Sequence, residues 1–193
     1  MICKAGVRED AIKNIGFQMF WDLPSEWREV HASLDFHLHI YSGLDVDIRQ
    51  KAAAIAGKIE AMDPVLEFLC SLTCPECKDP CCRRATVRYD FRDLIFLHLI
   101  QKGLPMGQPI SGGGTGCSCL EENGCELDRM MRPFMCTWYL CPAQAELARN
   151  AEPWRQYGLL ERLREIQRDR KELEKGFLKL VAPQNSVFDS ILE

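Results

Sequence analysis

The apolar positions in the first part of the chain recur at steps of three and four residues. One apolar stripe lies in residues 24–43, and a second lies in residues 48–62. Such spacing places apolar side chains on one face of a helix, so each stripe predicts an amphipathic helix. Pro64 is expected to break or kink the second helix before residues 65–72 continue it. Because the two stripes can cover each other, we predict that the helices form an antiparallel pair.

Two further helices are predicted downstream. Residues 93–102 form one of them, and residues 87–91 before it suit a short strand. Residues 158–180 form a long helix with an apolar stripe on one face and many charges on the other. A continuous coiled coil would want apolar residues where this stripe carries Asp169 and Arg170. We therefore expect this helix to dock on the N-terminal helices, while dimerisation through it remains the alternative.

These elements predict a mainly α fold: a small helical domain with an irregular, cysteine-rich, metal-stapled middle section. The N-terminal helical segment covers residues 1–73, a cysteine-cluster metal-binding module covers residues 74–142, and the C-terminal helix lies in residues 143–193. A chain of 193 residues is long enough to bury a core without cross-links. We expect the three segments to form one compact domain.

Composition narrows the class of protein. The chain has 47% apolar residues, 27% charged residues and a net charge of −4, which is typical of a soluble globular protein and offers no basic patch for nucleic acid. The apolar run at residues 94–100 is about a third of the roughly 20 residues that cross a bilayer, so no membrane span is expected. Charged residues near the start interrupt any apolar core of a secretion signal. The sequence thus predicts a cytoplasmic protein.

The eleven cysteines are the most unusual feature of the composition. In a reducing compartment, so many cysteines indicate metal binding rather than disulfides. Nine of them lie within residues 74–141, and only Cys3 and Cys70 lie outside this segment. We therefore place the chemistry of the protein in the middle segment, and we expect Cys3 and Cys70 to take no part in it.

The first group of cysteines occupies one turn that two prolines are expected to hold out of a helix. Cys74 and Cys77 have the two-residue gap of a metal-binding knuckle, which brings two sulfurs to the separation that one tetrahedral ion requires. Cys81 and Cys82 are adjacent, and neighbouring side chains diverge. We expect this pair to bind different metal atoms, or one of the two to bind while the other packs.

A second group of cysteines follows a glycine-rich loop at residues 111–116, where glycines permit the close backbone approach that a wrapped metal centre needs. This group supplies up to five sulfurs, from Cys117, Cys119, Cys125, Cys136 and Cys141. The predicted metal ligands of the chain are eight cysteines: Cys74, Cys77, Cys81, Cys82, Cys117, Cys125, Cys136 and Cys141.

The order of these motifs resembles the YkgJ-type cysteine-cluster family, which is described as a zinc- or iron-chelating domain. The resemblance covers residues 74–142, with Cys119 and Cys141 as additions to the family pattern. The gap between Cys77 and Cys81 is one residue longer than usual, Cys74 is the other choice for the leading cysteine, and Cys119 competes with Cys117. The matching positions are Cys74 or Cys77, Cys81, Cys82, Cys117, Leu120, Cys125, Arg132, Pro133 and Cys136. The resemblance implies metal chelation and names no reaction.

Thiolate ligands suit zinc and iron–sulfur clusters alike. Eight sulfurs can make two four-sulfur zinc sites, whereas a single four-iron cluster needs only four of them. We predict a metal-binding protein whose zinc or iron organises the middle section for a structural role or for binding a protein partner. The alternative is an iron–sulfur redox or protein-modifying enzyme, although Trp138 and Tyr139 are more simply core residues than part of a redox centre. No motif of a hydrolase, kinase or dehydrogenase stands out.

Two weaker candidates lie outside the cysteines. His31, Asp35 and His39 are spaced by four residues, so they share one helix face and could hold a hard metal ion, or they form a solvated polar face. His98 is expected to be a buried, hydrogen-bonded histidine. Four arginines after the cysteine pair are expected to offset thiolate charge or to bind an anionic partner: Arg83, Arg84, Arg88 and Arg92.

Overall fold

The structure is a computed structural model, and it describes residues 21–75, 77–78, 80–109, 116–121, 124–152 and 154–182. The fold is mainly α, as the sequence predicts. In chain order the helices are α1 (Pro24–Ile40), α2 (Val46–Thr73), α3 (Cys81–Arg84), α4 (Phe91–Ile100), α5 (Phe134–Trp138), α6 (Pro142–Asn150), α7 (Trp154–Tyr157) and α8 (Leu159–Val181). Two short strands, β1 (Leu120–Glu121) and β2 (Gly124–Cys125), form an antiparallel ladder, and a 3₁₀ turn covers Arg129–Met131.

Helix α4 lies at the centre of the core. Leu94, Ile95 and Leu97 on this helix are fully buried, because α1, α2 and α8 all pack against it. The helix ends where Gln101 takes a left-handed conformation with φ 54°, which is two residues before the predicted stop at Gly103. A helix so apolar on every side needs partners all round it, and three longer helices supply them.

The prediction that the apolar faces of α1 and α2 pack against each other is wrong. The apolar stripe of α1 packs mainly on α4, and α2 packs mainly on α8 and α4. Helix α2 also continues through Pro64 without the predicted break. Leu66 and Leu69 extend its buried stripe beyond the proline, and their burial favours a helix that continues into the core.

The docking of α8 within the chain is confirmed. Its apolar stripe is buried against α2 and α4. Gly176 allows α8 to approach α2 closely, since a β-carbon at this position would lie 2.9 Å from Ile48 Cγ2. Arg170, which interrupts the stripe in the sequence, is buried and donates to Asp93 Oδ1 at 2.6 Å. The apolar face that a dimer would use is therefore covered inside the chain, and nothing in the described residues supports a second copy on it.

The predicted strand at residues 87–91 does not form a ladder with another strand. Val87 and Tyr89 are buried in an extended segment, and the side chain of Gln108 supplies the hydrogen bonds of a neighbouring strand. Its amide oxygen accepts from Tyr89 N at 2.8 Å, and its amide nitrogen donates to Tyr89 O at 3.1 Å. Among the described helices, none is long and apolar enough to cross a membrane.

Candidate metal centre

Four of the eight predicted ligands come together from three segments that are distant in sequence. They are Cys82 in α3, Cys117 ahead of β1, Cys125 in β2 and Cys136 in α5. Burial and the nearby thiols of Cys81, Cys125 and Cys117 together raise the pKa of the Cys82 thiol to about 12. This electrostatic coupling places the four sulfurs of the set, which we call the cysteine cluster, in one neighbourhood.

The Cys136 thiol shows the same electrostatic coupling to the other three sulfurs. Burial raises its pKa to about 12, and the sulfurs of Cys117, Cys82 and Cys125 add to the effect. A buried thiol surrounded by thiols strongly resists ionisation while no cation is near. A bound cation would reverse this preference, because it stabilises the thiolate form that binds metal.

A close backbone contact brings Cys117 to Cys82 across more than thirty residues of chain. Cys117 N donates to Cys82 O at 2.9 Å. Gly116 just before it has φ 98°, and a β-carbon there would lie 2.8 Å from Arg83 Cα. Only glycine accepts both this conformation and this approach at low cost, so the sequence needs a glycine here for the two cysteines to meet.

Cys82 itself is aimed by a helical turn, which corrects the prediction that the prolines hold this segment out of a helix. Pro80 precedes α3, and the turn is closed by hydrogen bonds from Arg83 N to Pro80 O at 2.9 Å and from Ala85 N to Cys81 O at 2.8 Å. Proline suits the start of a helix because the nitrogen that it blocks would have no partner there.

The β ladder positions Cys125. It pairs Leu120 with Cys125, and Glu126 N donates to Cys119 O at 2.9 Å just beyond the ladder. Cys119 is buried, and burial raises its pKa to about 11, with further raising by Cys117 and Cys125. Cys119 therefore borders the cysteine cluster, and the choice between Cys117 and Cys119 as ligand stays open.

The segment that carries Cys136 is fastened to the helical frame at the start of α5. Phe134 N donates to Asp93 Oδ1 at 2.9 Å, and the same carboxylate oxygen accepts from Arg170. The Arg170 guanidinium also lies 4.6 Å from the centre of the Phe134 ring. Burial raises the pKa of Asp93 to about 6 and Arg170 lowers it, so the carboxylate is ionised at neutral pH. No pattern in the sequence indicates that Arg170 contacts the residues that hold the cysteine segment.

Two further contacts hold the 3₁₀ turn that precedes α5. Tyr89 is buried, and its hydroxyl donates to Met131 O at 2.7 Å. Arg129 is buried and paired with two carboxylates of α2, those of Asp63 and Glu67. The cysteine-rich segment is thus tied to α2 and to the approach to α4 by specific polar contacts.

Of the other predicted ligands, Cys81 stays beside Cys82 in α3, and the remaining three lie around the end of α2 and the start of α6. Cys74 lies at the end of α2 beside Cys70, and Cys77 is exposed in the following turn. Cys141 is the residue just before α6. These positions lie near one another, at the side of the molecule where α6 meets α2.

The kind and convergence of the donors fit a thiophilic metal such as zinc or iron, since four partly buried thiols approach from three segments. The arrangement is not closed around a point. Within the part of the chain that the structure describes, no group of three or more His, Cys, Asp or Glu side chains is arranged so that it could hold a metal ion. No disulfide joins any of the ten described cysteines, so all of these thiols are free to bind.

The histidine candidates form a different group from the one that the spacing suggested. His98 Nδ1 lies 2.8 Å from Asp35 Oδ1, and His98 Nε2 lies 2.8 Å from His31 Nδ1. Because a carboxylate only accepts, neutral His98 donates to Asp35 and accepts from His31. His98 is buried and hydrogen-bonded as predicted, whereas His39 is exposed and lies outside this chain of contacts.

Two other expectations about the surroundings of the cysteines change. Arg88 donates to the two carboxylate oxygens of Asp22 at 2.5 and 2.6 Å, and Arg92 donates to Glu174 at 2.7 Å, so both are engaged by carboxylates. Trp138 and Tyr139 are 42% and 48% exposed, which corrects their interpretation as core residues. These aromatic rings lie at the surface directly after Cys136.

Comparisons with known proteins find no relative of this chain. No protein-family model matches it, no curated protein matches it, and no solved structure is similar to it. The resemblance to the YkgJ-type family therefore rests on the cysteine motifs alone, and the function has to be argued from the residues and their arrangement.

Proposed function

We propose that this protein binds zinc or iron through the cysteine cluster, Cys82, Cys117, Cys125 and Cys136, and that the metal organises the middle segment for a structural or interaction role. The observation that carries the proposal is the convergence of four partly buried thiols from three segments. Thiols that only pack would have no reason to gather at one place in a polar, turn-rich segment.

A metal would add what this segment lacks. Outside α4, its apolar side chains in the core are few, and its described contacts to the frame are single polar anchors such as Tyr89 to Met131 and Phe134 to Asp93. Binding of a structural zinc ion supplies on the order of 10 kcal/mol of folding free energy in small domains. A four-sulfur ion would link α3, β2 and α5 directly, so that the turns between them are held in one arrangement.

The interaction role is supported by the exposed aromatic pair. Trp138 ends α5 and Tyr139 follows it, two and three residues after Cys136. Large aromatic side chains that combine exposure with a fixed position are common contact residues in protein interfaces. A metal bound by Cys136 would fix the orientation of α5 and of the surface that carries these rings.

Metal analysis and an absorption spectrum of full-length protein purified without oxygen would test the proposal. We expect Cys82→Ser, Cys117→Ser, Cys125→Ser and Cys136→Ser each to lower the bound metal, while Cys3→Ser, which changes a thiol outside the described residues, leaves it unchanged. Colourless protein with zinc supports the structural role. Brown protein with iron and labile sulfide supports the iron–sulfur enzyme instead.

Limited proteolysis with and without a chelator gives a second test. Because the metal and the folding of the segment are expected to be linked, chelation should open residues 80–90 and 101–141 to protease while α2, α4 and α8 stay protected. An unchanged digestion pattern in a protein that does bind metal would refute the organising role and leave only the binding.

A further inference from the structure

A second group of thiols lies at the end of α2, away from the cysteine cluster. Cys70 and Cys74 are one helical turn apart, with Cys74 N donating to Cys70 O at 2.8 Å, so their side chains lie on the same face of the helix. Cys70 is partly buried and Cys74 is exposed. The sequence offered no reason to include Cys70, because it stands four residues ahead of the cysteine-rich segment.

A buried glutamine joins these thiols to a third cysteine. The amide nitrogen of Gln144 lies 3.5 Å from Cys70 Sγ and 3.9 Å from Cys74 Sγ, and it also donates to Thr73 Oγ1 at 3.1 Å. The amide oxygen of the same side chain accepts from Cys141 N at 3.3 Å. Gln144 is 6% exposed, so it connects the end of α2 to the start of α6 in a place with little solvent.

A fourth sulfur comes from the turn after α2. Cys77 N donates to Cys74 O at 3.1 Å, which folds the chain back so that Cys77 follows Cys74 in a tight turn. The side chain of Cys77 is exposed, and it can rotate without losing packing contacts. Four sulfurs are the number that a closed zinc site requires.

We propose that Cys70, Cys74, Cys77 and Cys141 form a second, separate metal site that takes a zinc ion, with the Gln144 amide donating to its sulfurs. Amide donors beside metal-bound thiolates are typical of such sites, since they orient the ligands and stabilise their negative charge. The two groups lie on different elements, because this one is carried by the end of α2 and the start of α6, whereas the cysteine cluster lies on α3, α5 and the residues around the β ladder. The second site goes beyond the proposed function and does not depend on the first.

Metal content of the full chain, purified under reducing and oxygen-free conditions and loaded with zinc, separates the two sites. We expect about two metal ions per chain in the unaltered protein, one for each closed site. Cys70→Ser should lose one ion, Cys82→Ser with Cys136→Ser should lose the other, and the three changes together should lose both. Cys3→Ser is the matched control that removes a thiol and should lose neither.

Cobalt titration of the variant with Cys82→Ser and Cys136→Ser examines the second site by itself. The intense visible absorption of tetrahedral thiolate-bound cobalt should appear, and it should disappear when Cys74→Ser or Cys141→Ser is added. Gln144→Leu keeps all four sulfurs, and we expect it to weaken cobalt binding at this site by about 10- to 100-fold. If Cys70→Ser fails to fold by circular dichroism, the exposed position Cys77→Ser gives the same test.

Three results would overturn the inference. One is a full metal content in both Cys70→Ser and Cys77→Ser. Another is the absence of the cobalt spectrum when the cysteine cluster is removed. The third is a disulfide between Cys70 and Cys74 in metal-loaded protein, detected by mass spectrometry without reductant. If the changes at Cys82 and Cys136 release no metal while Cys70→Ser does, the second site stands and the proposed function of the cysteine cluster fails.

Discussion

The helical frame and the cysteine-rich segment are stabilised in different ways. In the frame, side chains such as Ile55, Leu94 and Ile166 have no measurable exposure, and α2, α4 and α8 bury continuous apolar stripes against one another. In residues 80–90 and 101–141, the short helices and the two-residue strands are connected by turns, and specific polar contacts fasten them to the frame. Burial alone therefore accounts for the frame, whereas the segment relies on a few anchors and, under our proposal, on metal.

The two regions meet most closely at Asp93. This buried carboxylate accepts from the N-terminus of α5 and pairs with Arg170 of α8. Asp93 also belongs to the capping box that starts α4. A single residue thus links the central helix, the C-terminal helix and the helix that carries Cys136, and changes around it should affect both regions at once.

The largest expected effect follows from breaking this link with Arg170→Met. Loss of one partner from a buried ion pair leaves the other charge uncompensated, and we expect the free energy of unfolding to fall by about 3–5 kcal/mol. Urea denaturation monitored by circular dichroism measures this loss. Lys58→Met is the matched control, because Lys58 of α2 pairs with Glu165 and Asp169 of α8 at the surface.

We expect the surface change to cost about 0–1 kcal/mol. Adding Asp93→Asn to Arg170→Met should recover part of the stability, because the uncompensated buried charge is then removed. Equal losses for Arg170→Met and Lys58→Met would contradict the assignment of the Asp93 pair as the connection between the two regions.

A smaller loss of stability is expected at acid pH, and it arises in the helical frame alone. Burial lowers the pKa of His31 to about 4, and nearby His98 lowers it further while Asp35 raises it. In the unfolded chain the pKa of histidine is about 6.5, so below this pH the unfolded state takes up a proton that the folded state refuses. The free energy of unfolding should therefore fall by about 1–3 kcal/mol between pH 6.5 and pH 4, with no further loss from His31 below that.

His31→Gln isolates this contribution, because the glutamine amide can still donate to His98 but does not titrate. Urea midpoints of the variant and the unaltered protein should be similar near pH 7 and should separate as the pH is lowered, because only the unaltered protein loses the His31 contribution. Parallel pH profiles for the two proteins would show that His31 is not held neutral by the fold.

The smallest effect on global stability, and the most local one, is expected from Gly116→Ala. A β-carbon at this position combines a positive φ with an approach of 2.8 Å to Arg83 Cα. We expect a loss of about 1–3 kcal/mol, confined to the cysteine-rich segment, and with it a lower metal content because Cys117 moves away from Cys82. Hydrogen exchange, which reports opening segment by segment, measures where the loss occurs.

Gly107→Ala serves as the control for this change, since a β-carbon there meets nothing within 4 Å. This variant should keep both its metal and its exchange protection. If Gly116→Ala loses stability throughout α2 and α8 instead, the segment is not the separate, weakly anchored region that the comparison describes.

Much of the frame could be predicted from the sequence because helix periodicity is a local property. The stripes of α1 and α8 appear in the structure at nearly the predicted positions, and the grouping of cysteines in the middle segment is plain from the chain. Pro64 shows the limit of such prediction. Its local preference for a break in the helix is overridden by the burial of Leu66 and Leu69, which follow it in α2.

The partners of these elements were decided only by the tertiary structure. Local spacing cannot show that α1 packs on α4 rather than on α2, that Arg170 reaches Asp93 across the core, or that Gln144 touches Cys70. Each of these contacts joins residues far apart in the chain, and its existence depends on how all the helices pack together. The sequence by itself determined that the sulfurs are close in the chain, while the fold decided which of them meet, because convergence in space depends on long-range packing and not on spacing along the backbone.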